Sequence, residues 1–130
     1  MKLKLDSFSH FLPTAIKIAK KSSHRCKHCA LIVKNNKIIS KGFNRCLGHK
    51  NGQNSYHAEH EAIFHCEKGD LKNADLIVIR INTSLAPDEI DINKTPINKL
   101  FVNSKPCKKC TCLIEKCMHK YGLRNVYYST

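Results

Sequence analysis

The sequence predicts an α/β fold in a single domain. Short apolar segments rich in β-branched residues alternate along the chain with segments whose apolar residues recur at helical spacing. A length of 130 residues is enough for one hydrophobic core but not for two. The predicted helices span 7–22, 57–68 and 107–119, and the predicted strands span 29–34, 37–43, 74–81 and 125–129.

The N-terminal part of the sequence combines an amphipathic helix with two strands. Pro13 lies inside the helical pattern, and we expect it either in the first turn, where proline is tolerated, or at a later helix start. The two strands are separated only by Asn35 and Asn36, a two-residue connection that predicts a β-hairpin. A polar loop is expected from 46 to 55.

The second predicted helix follows this loop. It begins near His57, with Ser55 as a candidate N-cap, and ends at Gly69. Its residues Glu61 and His65 are four apart, which predicts an exposed pair on the helix surface.

The third strand, at 74–81, is followed by an unusual segment. Residues 83–98 are mostly polar, which predicts an irregular insertion that we expect to flank the functional site. A short strand is expected at 100–102. The third helix should end at Gly122, and the strand at 125–129 completes the sequence.

Two separated motifs supply a set of metal ligands. His57 and Glu59 form a His-x-Glu motif, and Pro106 directly precedes Cys107 and Cys110 in a Pro-Cys-x-x-Cys motif. Cysteines three apart lie on one face of a first helical turn, whose positive end is expected to lower the pKa of their thiols. One imidazole and two thiolates leave the fourth position of a tetrahedral Zn²⁺ site open, which is typical of catalytic zinc.

The two motifs together resemble the signature of the zinc-dependent cytidine and deoxycytidylate deaminase superfamily. This resemblance implies a three-layer α/β/α fold, with a mixed central sheet of four to five strands and helices on both faces. It also implies hydrolytic deamination, in which a zinc hydroxide attacks the ring carbon of a cytosine or adenine and ammonia leaves. His57, Cys107 and Cys110 would bind Zn²⁺. Glu59 would act as the proton shuttle between the water, the ring nitrogen and the leaving amine.

The resemblance also assigns substrate contacts. The sequence Gly42-Phe43-Asn44 is similar to a Gly-aromatic-Asn element of the family whose Asn binds the sugar, so Asn44 is expected to bind substrate. The backbone amides of Ala58 and Cys107 match family positions that contact the reacting oxygen or the base. Family members usually carry a fifth strand that this sequence lacks. Either the domain is short or a partner subunit covers the open edge, and we therefore expect a homo-oligomer.

The remaining cysteines allow a second metal site. Cys26 and Cys29 form another Cys-x-x-Cys, with His24 and His28 beside them. Two of the other four cysteines could complete a structural zinc site with them: Cys46, Cys66, Cys112 and Cys117. They lack the spacing of a zinc finger, which favours a buried core thiol at Cys29.

The formal net charge is +13, and the excess of Lys and Arg lies in 1–50 and 101–130. Such a surface fits a nucleotide or a nucleic acid, whereas the alternative is compositional, because solvated lysines need no partner. The sequence has no apolar run of about 20 residues and no secretory signal, so we expect no membrane partner and a cytoplasmic or nuclear location.

Three functions stay open. The favoured one is deamination of a cytosine-type nucleoside or nucleotide, such as dCMP or cytidine. The second is editing of a base in tRNA or single-stranded nucleic acid, which the basic surface favours. The third is a non-catalytic zinc-binding module, against which Glu59 argues, because a structural site needs no carboxylate beside its open position. The motifs do not distinguish cytosine from adenine or guanine as the target base.

Overall fold

The structure is a computed structural model that describes residues 8–23, 25–46 and 55–129. The helices are α1 (Leu12–Ala19), α2 (Ala58–Phe64), α3 (Ile97–Leu100) and α4 (Lys108–Tyr121). The strands are β1 (His28–Lys34), β2 (Lys37–Phe43), β3 (Arg45–Cys46), β4 (Ser55–Tyr56), β5 (Asp75–Ile81), β6 (Phe101–Val102) and β7 (Asn125–Tyr128). Within these described ranges, none of the helices has the length and hydropathy of a membrane-spanning segment.

Five of the strands form one mixed sheet. β1 lies between β2 and β5 and pairs antiparallel with both. The other side of β5 pairs in parallel with β7 along its first half and antiparallel with β6 at its end. The parallel pair β5–β7 requires a crossover, which contains α4. The mixed sheet agrees with the prediction, and β6 occupies the place of the short strand expected at 100–102.

Helices cover both faces of this sheet. Because successive side chains of a strand point to opposite faces, β1 and β5 contribute alternate residues to two separate cores. The core on the α1 side includes Leu12, Ile16, Cys29, Leu31, Ile77 and Ile79. The core on the side of α2 and α4 includes Ala30, Ile32, Ala62, Leu76, Val78 and Ile114. Burial on both faces explains why β1 and β5 are continuous apolar runs, and it confirms the three-layer α/β/α prediction.

The hairpin between β1 and β2 turns at Asn35 and Asn36 as predicted. Both residues have positive φ, 52° and 64°, in the left-handed region that a two-residue type I′ turn requires. Asparagine tolerates this region better than other side-chain-bearing residues. The turn therefore sets the register in which Lys34 pairs with Lys37.

The helix boundaries differ from the predictions in several places. Pro13 does lie in the first turn of α1. The second helix ends at Phe64 rather than near 68, because the Cys66 amide donates to the Ile63 carbonyl oxygen and tightens the last turn. Ser55 is not its N-cap but lies in β4, which pairs with β3, and this small sheet includes the ends of the predicted loop 46–55. Residues 47–54 of that loop lie outside the described residues.

The polar segment 83–98 packs against the α1 side of the molecule. Four of its apolar residues contact the core there: Leu85, Ile90, Ile92 and Ile97. Within the segment, the Thr95 hydroxyl donates to the Glu89 carbonyl oxygen, and the Glu89 carboxylate accepts from the Ala86 amide at 2.9 Å. The segment therefore forms part of the layer that covers one face of the sheet.

The contact between β2 and α2 is unusually close at Gly42. A Cβ atom at this position would lie 2.6 Å from the Ala58 carbonyl oxygen, 2.7 Å from the Ala62 amide nitrogen and 2.8 Å from the Glu61 Cβ. The Ser40 hydroxyl also donates to the Ala62 carbonyl oxygen at 2.6 Å. Glycine at position 42 thus allows the α2 backbone to pack directly on the strand.

We predict that Gly42→Ala destabilises the protein, because the added methyl group meets backbone atoms that cannot move without displacing α2. Overpacking of this kind typically costs about 1–3 kcal/mol. Chemical denaturation of the two proteins measures the difference.

Gly69→Ala is the matched control. A Cβ at position 69 has no atom within 4 Å, so its unfolding free energy should change by no more than about 0.5 kcal/mol. If Gly42→Ala and Gly69→Ala had equal denaturation midpoints, α2 and β2 would not be packed as described.

Candidate active site

The N-termini of α2 and α4 meet on one side of the sheet. His57 is the N-cap of α2, with φ −75° and ψ 148°, and Cys107 is the N-cap of α4, with φ −69° and ψ 172°. Cys110 is the third residue of α4 and is fully buried. The extended backbone at each N-cap turns the side chains of His57 and Cys107 toward the space between the two helices.

The three predicted metal ligands lie together in that space. One donor atom from each of His57, Cys107 and Cys110 lies within 4.8 Å of the other two. The His57 Nδ1 atom is 3.2 Å from the Cys110 Sγ atom and 3.5 Å from the Cys107 Sγ atom. Ligands of one tetrahedral zinc ion, with bonds of about 2.0–2.3 Å, are roughly 3.5 Å apart. Two sulfur atoms and one imidazole nitrogen at these separations fit Zn²⁺.

The surroundings of Cys110 raise the pKa of its thiol. Burial raises the pKa of its thiol, and the negative charge of Glu59 and the hydrogen bond with Cys107 raise the pKa further. For Cys110 the expected lowering of the pKa by the helix N-terminus is therefore outweighed by burial. A metal ion bound at Cys110 would have to displace the proton of this thiol, so metal and protons compete for the sulfur atom.

A cavity opens beside the ligands and contains the predicted catalytic residue. Glu59 lies in the first turn of α2 and is only 5% exposed, yet it lines the cavity. The described residues around the cavity are His28, Asn44, His57, Ala58, Glu59, Ser104, Lys105 and Cys107. The structure thus places the predicted catalytic and substrate-binding residues around one cavity. The segment 83–98, which we expected to flank the site, contributes none of the described lining residues, because it packs on the α1 side of the sheet.

Asn44 forms part of the cavity wall and also joins two strand ends. Its Oδ1 atom accepts from the His28 amide at 2.8 Å, and its Nδ2 group donates to the Cys26 carbonyl oxygen at 2.5 Å. The residue is 8% exposed. Asn44 therefore holds the segment before β1 against the end of β2, and its expected contact with a sugar stays a prediction.

A serine pair fixes the loop that leads to Cys107. The Ser104 hydroxyl donates to the Val78 carbonyl oxygen at 2.8 Å and accepts from the Ser129 amide at 2.9 Å. The Ser129 hydroxyl donates to the Val102 carbonyl oxygen at 2.7 Å. Both serines are buried, so the loop between β6 and α4 is anchored to the centre of the sheet.

Three cavity residues were not predicted from the sequence. Ser104 and Lys105 directly precede the Pro-Cys-x-x-Cys motif, and this position in the sequence could have identified them as cavity residues. His28 carries no comparable local signal, because it reaches the cavity only through the pairing of β1 with its neighbours.

The prediction for Glu61 was wrong. Glu61 does not form an exposed pair with His65 but is 4% exposed and faces β2. Its Oε1 atom accepts from the Phe43 amide at 3.3 Å, and its carboxylate forms an ion pair with Arg45. The i,i+4 spacing failed as a guide because this side of α2 is covered by the sheet.

The second zinc site is not formed by the described residues. Among them, the three-residue group at His57 is the one that could hold a metal ion. Cys29 is completely buried in the core, and burial raises the pKa of its thiol. The Cys26 Sγ atom instead accepts a hydrogen bond from Arg80 at 3.2 Å.

Solved structures with the same fold are known. The dCMP deaminase of cyanophage S-TIM5 in its apo form aligns with 97% of this chain and 84% of its own chain, at 21% identity and a TM-score of 0.62. The same enzyme in complex with dCMP and dUMP gives a TM-score of 0.61 at 20% identity over 97% of this chain and 82% of the other. These similarities confirm the fold class predicted from the sequence.

A bifunctional enzyme of Thermotoga maritima is also similar. This diaminohydroxyphosphoribosylaminopyrimidine deaminase/5-amino-6-(5-phosphoribosylamino)uracil reductase is 25% identical, with a TM-score of 0.57. The alignment covers 96% of this chain but 30% of that chain. The similarity is therefore to one part of a larger protein.

A family profile, rather than any single relative, shows to which family the chain belongs. No curated protein sequence matches this chain. The family profile described as the cytidine and deoxycytidylate deaminase zinc-binding region, however, matches residues 6–130. Because this match includes nearly the whole chain and both ligand motifs, the protein belongs to the cytidine and deoxycytidylate deaminase family.

Proposed function

We propose that the protein is a zinc-dependent hydrolytic deaminase of a cytosine nucleotide. The observation that carries this proposal is the convergence of His57, Cys107 and Cys110 beside a cavity that also contains Glu59. A structural zinc site would need neither the cavity nor a buried carboxylate within it. The reaction converts a cytosine and water into a uracil and ammonia.

The residues of the site have separate tasks in this reaction. His57, Cys107 and Cys110 would hold Zn²⁺, which acts as a Lewis acid that lowers the pKa of water. The Glu59 carboxylate would take a proton from the attacking water and deliver protons to the ring nitrogen and then to the departing amine. Its burial suits this task, because a carboxylate shielded from solvent transfers its proton to the substrate rather than to bulk water.

The charge of the cavity supports a nucleotide rather than a nucleoside. Lys105 is exposed and lines the cavity, and Glu59 is the one acidic residue among the described lining residues. A lysine at this place offers a point charge to a phosphate group. The cyanophage enzyme was solved with dCMP and dUMP, which makes dCMP the first substrate to test.

The experiment that tests the proposal is release of ammonia from zinc-loaded protein. The substrates should be dCMP, CMP, deoxycytidine, cytidine, adenosine, guanine, a cytosine-rich single-stranded oligonucleotide and tRNA. Turnover of dCMP or CMP would support the proposal. Turnover of polymers alone would overturn it in favour of base editing, and inactivity on all substrates with zinc bound would overturn deamination itself.

We predict that Glu59→Ala abolishes turnover without releasing zinc, since Glu59 moves protons and does not bind the metal. General acid-base catalysis contributes about 10²–10⁴-fold, so kcat should fall at least by this factor. Ammonia assays and metal analysis of the same preparation measure both quantities. Survival of wild-type activity would remove Glu59 from the mechanism.

We predict that Cys107→Ser releases zinc and lowers the melting temperature, because metal binding and folding share free energy. The matched control is Cys112→Ser, which changes an exposed cysteine of the same helix outside the ligand group. Elemental analysis should find about one zinc per chain in the control. If Cys107→Ser retained zinc as tightly, Cys107 would not be a ligand.

We predict that Lys105→Ala raises the KM for dCMP by about tenfold, the effect of losing one charge-assisted hydrogen bond. The KM for deoxycytidine should not change, because that substrate lacks the phosphate. Steady-state kinetics with the two substrates measure the ratio. An equal change in KM for dCMP and for deoxycytidine would show that Lys105 does not recognise the phosphate.

A further inference from the structure

The Glu61 side chain of α2 contacts both the end of β2 and the start of β3. The Glu61 carboxylate accepts a hydrogen bond from the Phe43 amide at 3.3 Å and pairs with the guanidinium of Arg45. The Arg45 side chain is 44% exposed, whereas that of Glu61 is 5% exposed. The guanidinium also lies over the Phe43 ring, 5.5 Å from its centroid.

The direction of Glu61 follows from helix geometry. Glu59 and Glu61 are two residues apart, which separates them by about 200° around a helix of 3.6 residues per turn. Glu59 lines the cavity, and Glu61 therefore points to the opposite side, into the contact with β2. A buried carboxylate is costly unless it is paired and hydrogen-bonded, and Arg45 and the Phe43 amide supply these partners.

These bonds enclose Asn44 on both sides. Phe43 and Arg45 are its two neighbours in the chain, and both are held by Glu61. Asn44 lines the cavity, whereas neither Arg45 nor Glu61 is among the described residues that do so. Glu61 thus connects the helix that carries His57 and Glu59 to the strand end that carries Asn44.

We propose that Arg45 and Glu61 are a positioning pair for the deaminase reaction. The pair holds Asn44 at a fixed place opposite Glu59, so that the substrate presents its ring to the proton-transferring carboxylate. Neither residue contacts the substrate. This inference rests on the proposed function for its kinetic part, and on the geometry of the α2–β2 contact for its structural part.

A second ion pair serves as the control for an effect on stability alone. Arg124 and Asp75 form a second ion pair with one buried partner, at 2.8 and 3.1 Å. In the register of β1 and β5, Asp75 lies opposite Val33 at one end of the two strands. Arg80 lies opposite His28, a cavity residue, toward the other end. Five residues of strand, about 17 Å, separate the two ends. Arg124→Met should therefore remove an ion pair without disturbing the cavity.

Three variants test the pair itself. Glu61→Gln keeps the size and the acceptor for the Phe43 amide but removes the charge, and Arg45→Met removes the opposite charge. The double variant Arg45→Met/Glu61→Gln leaves no unpaired buried charge, so it guards against a single variant that fails to fold. Zinc content should equal that of the wild type in every folded variant.

We predict that kcat/KM for the deaminated nucleotide falls by about tenfold to hundredfold in the single variants, the effect of a misplaced active-site wall. The double variant should stay equally low, since the pair acts as a unit. Arg124→Met should keep the wild-type kcat/KM. The positioning role would be overturned if kcat/KM fell only in proportion to the unfolded fraction of each variant. It would also be overturned if the double variant had the wild-type kcat/KM.

A readout independent of activity completes the test. The side-chain NH₂ signals of Asn44 in ¹H–¹⁵N spectra should shift in the Arg45 and Glu61 variants but not in Arg124→Met. If these signals did not move, the positioning role would be overturned. If the wild-type protein deaminated none of the substrates, the proposed function would fail, and the Asn44 signals would still decide whether the pair positions Asn44.

Discussion

The packing of α2 against β2 is the contact on which the site depends. Helix α2 has only seven residues, too few to be stable without tertiary contacts, and it carries His57 at its N-cap and Glu59 in its first turn. Gly42 permits backbone contact with this helix, and the Ser40 hydroxyl and the Glu61 carboxylate add hydrogen bonds on either side of it. The positions of His57 and Glu59 therefore depend on the absence of a side chain at position 42 of β2.

The second half of the site is held by a different kind of interaction. The loop before Cys107 is bonded through Ser104 to the backbone of β5 and through Ser129 to the last residues of the described chain. β5 is buried on both faces, so this loop is fixed to a strand in the interior of the fold. Two separate sets of contacts thus place the N-terminus of α2 and the N-terminus of α4 beside the cavity.

Burial of polar groups near the cavity is consistent with a functional rather than a purely structural arrangement. Cys110 is a completely buried thiol and Glu59 a nearly buried carboxylate, and burial of such groups is unfavourable unless each has a partner. Glu61 is paired with Arg45, whereas Cys110 and His57 face each other within the group of side chains that could hold a metal ion. Binding of a metal ion there would offset the cost of this burial.

The sequence by itself determined the features that depend on local order along the chain. The apolar runs of β1 and β5, the Asn35–Asn36 turn, the end of α4 at Gly122 and the two ligand motifs all follow from neighbouring residues, whose spacing sets backbone conformation and donor type. Only the tertiary structure decided that Glu61 is buried against β2, that His28 reaches the cavity, and that Cys29 lies in the core rather than on a metal. These outcomes depend on which segments pack together although they are distant in sequence. Helical or strand periodicity predicts that a face is buried or exposed, but it does not identify the segment that covers this face.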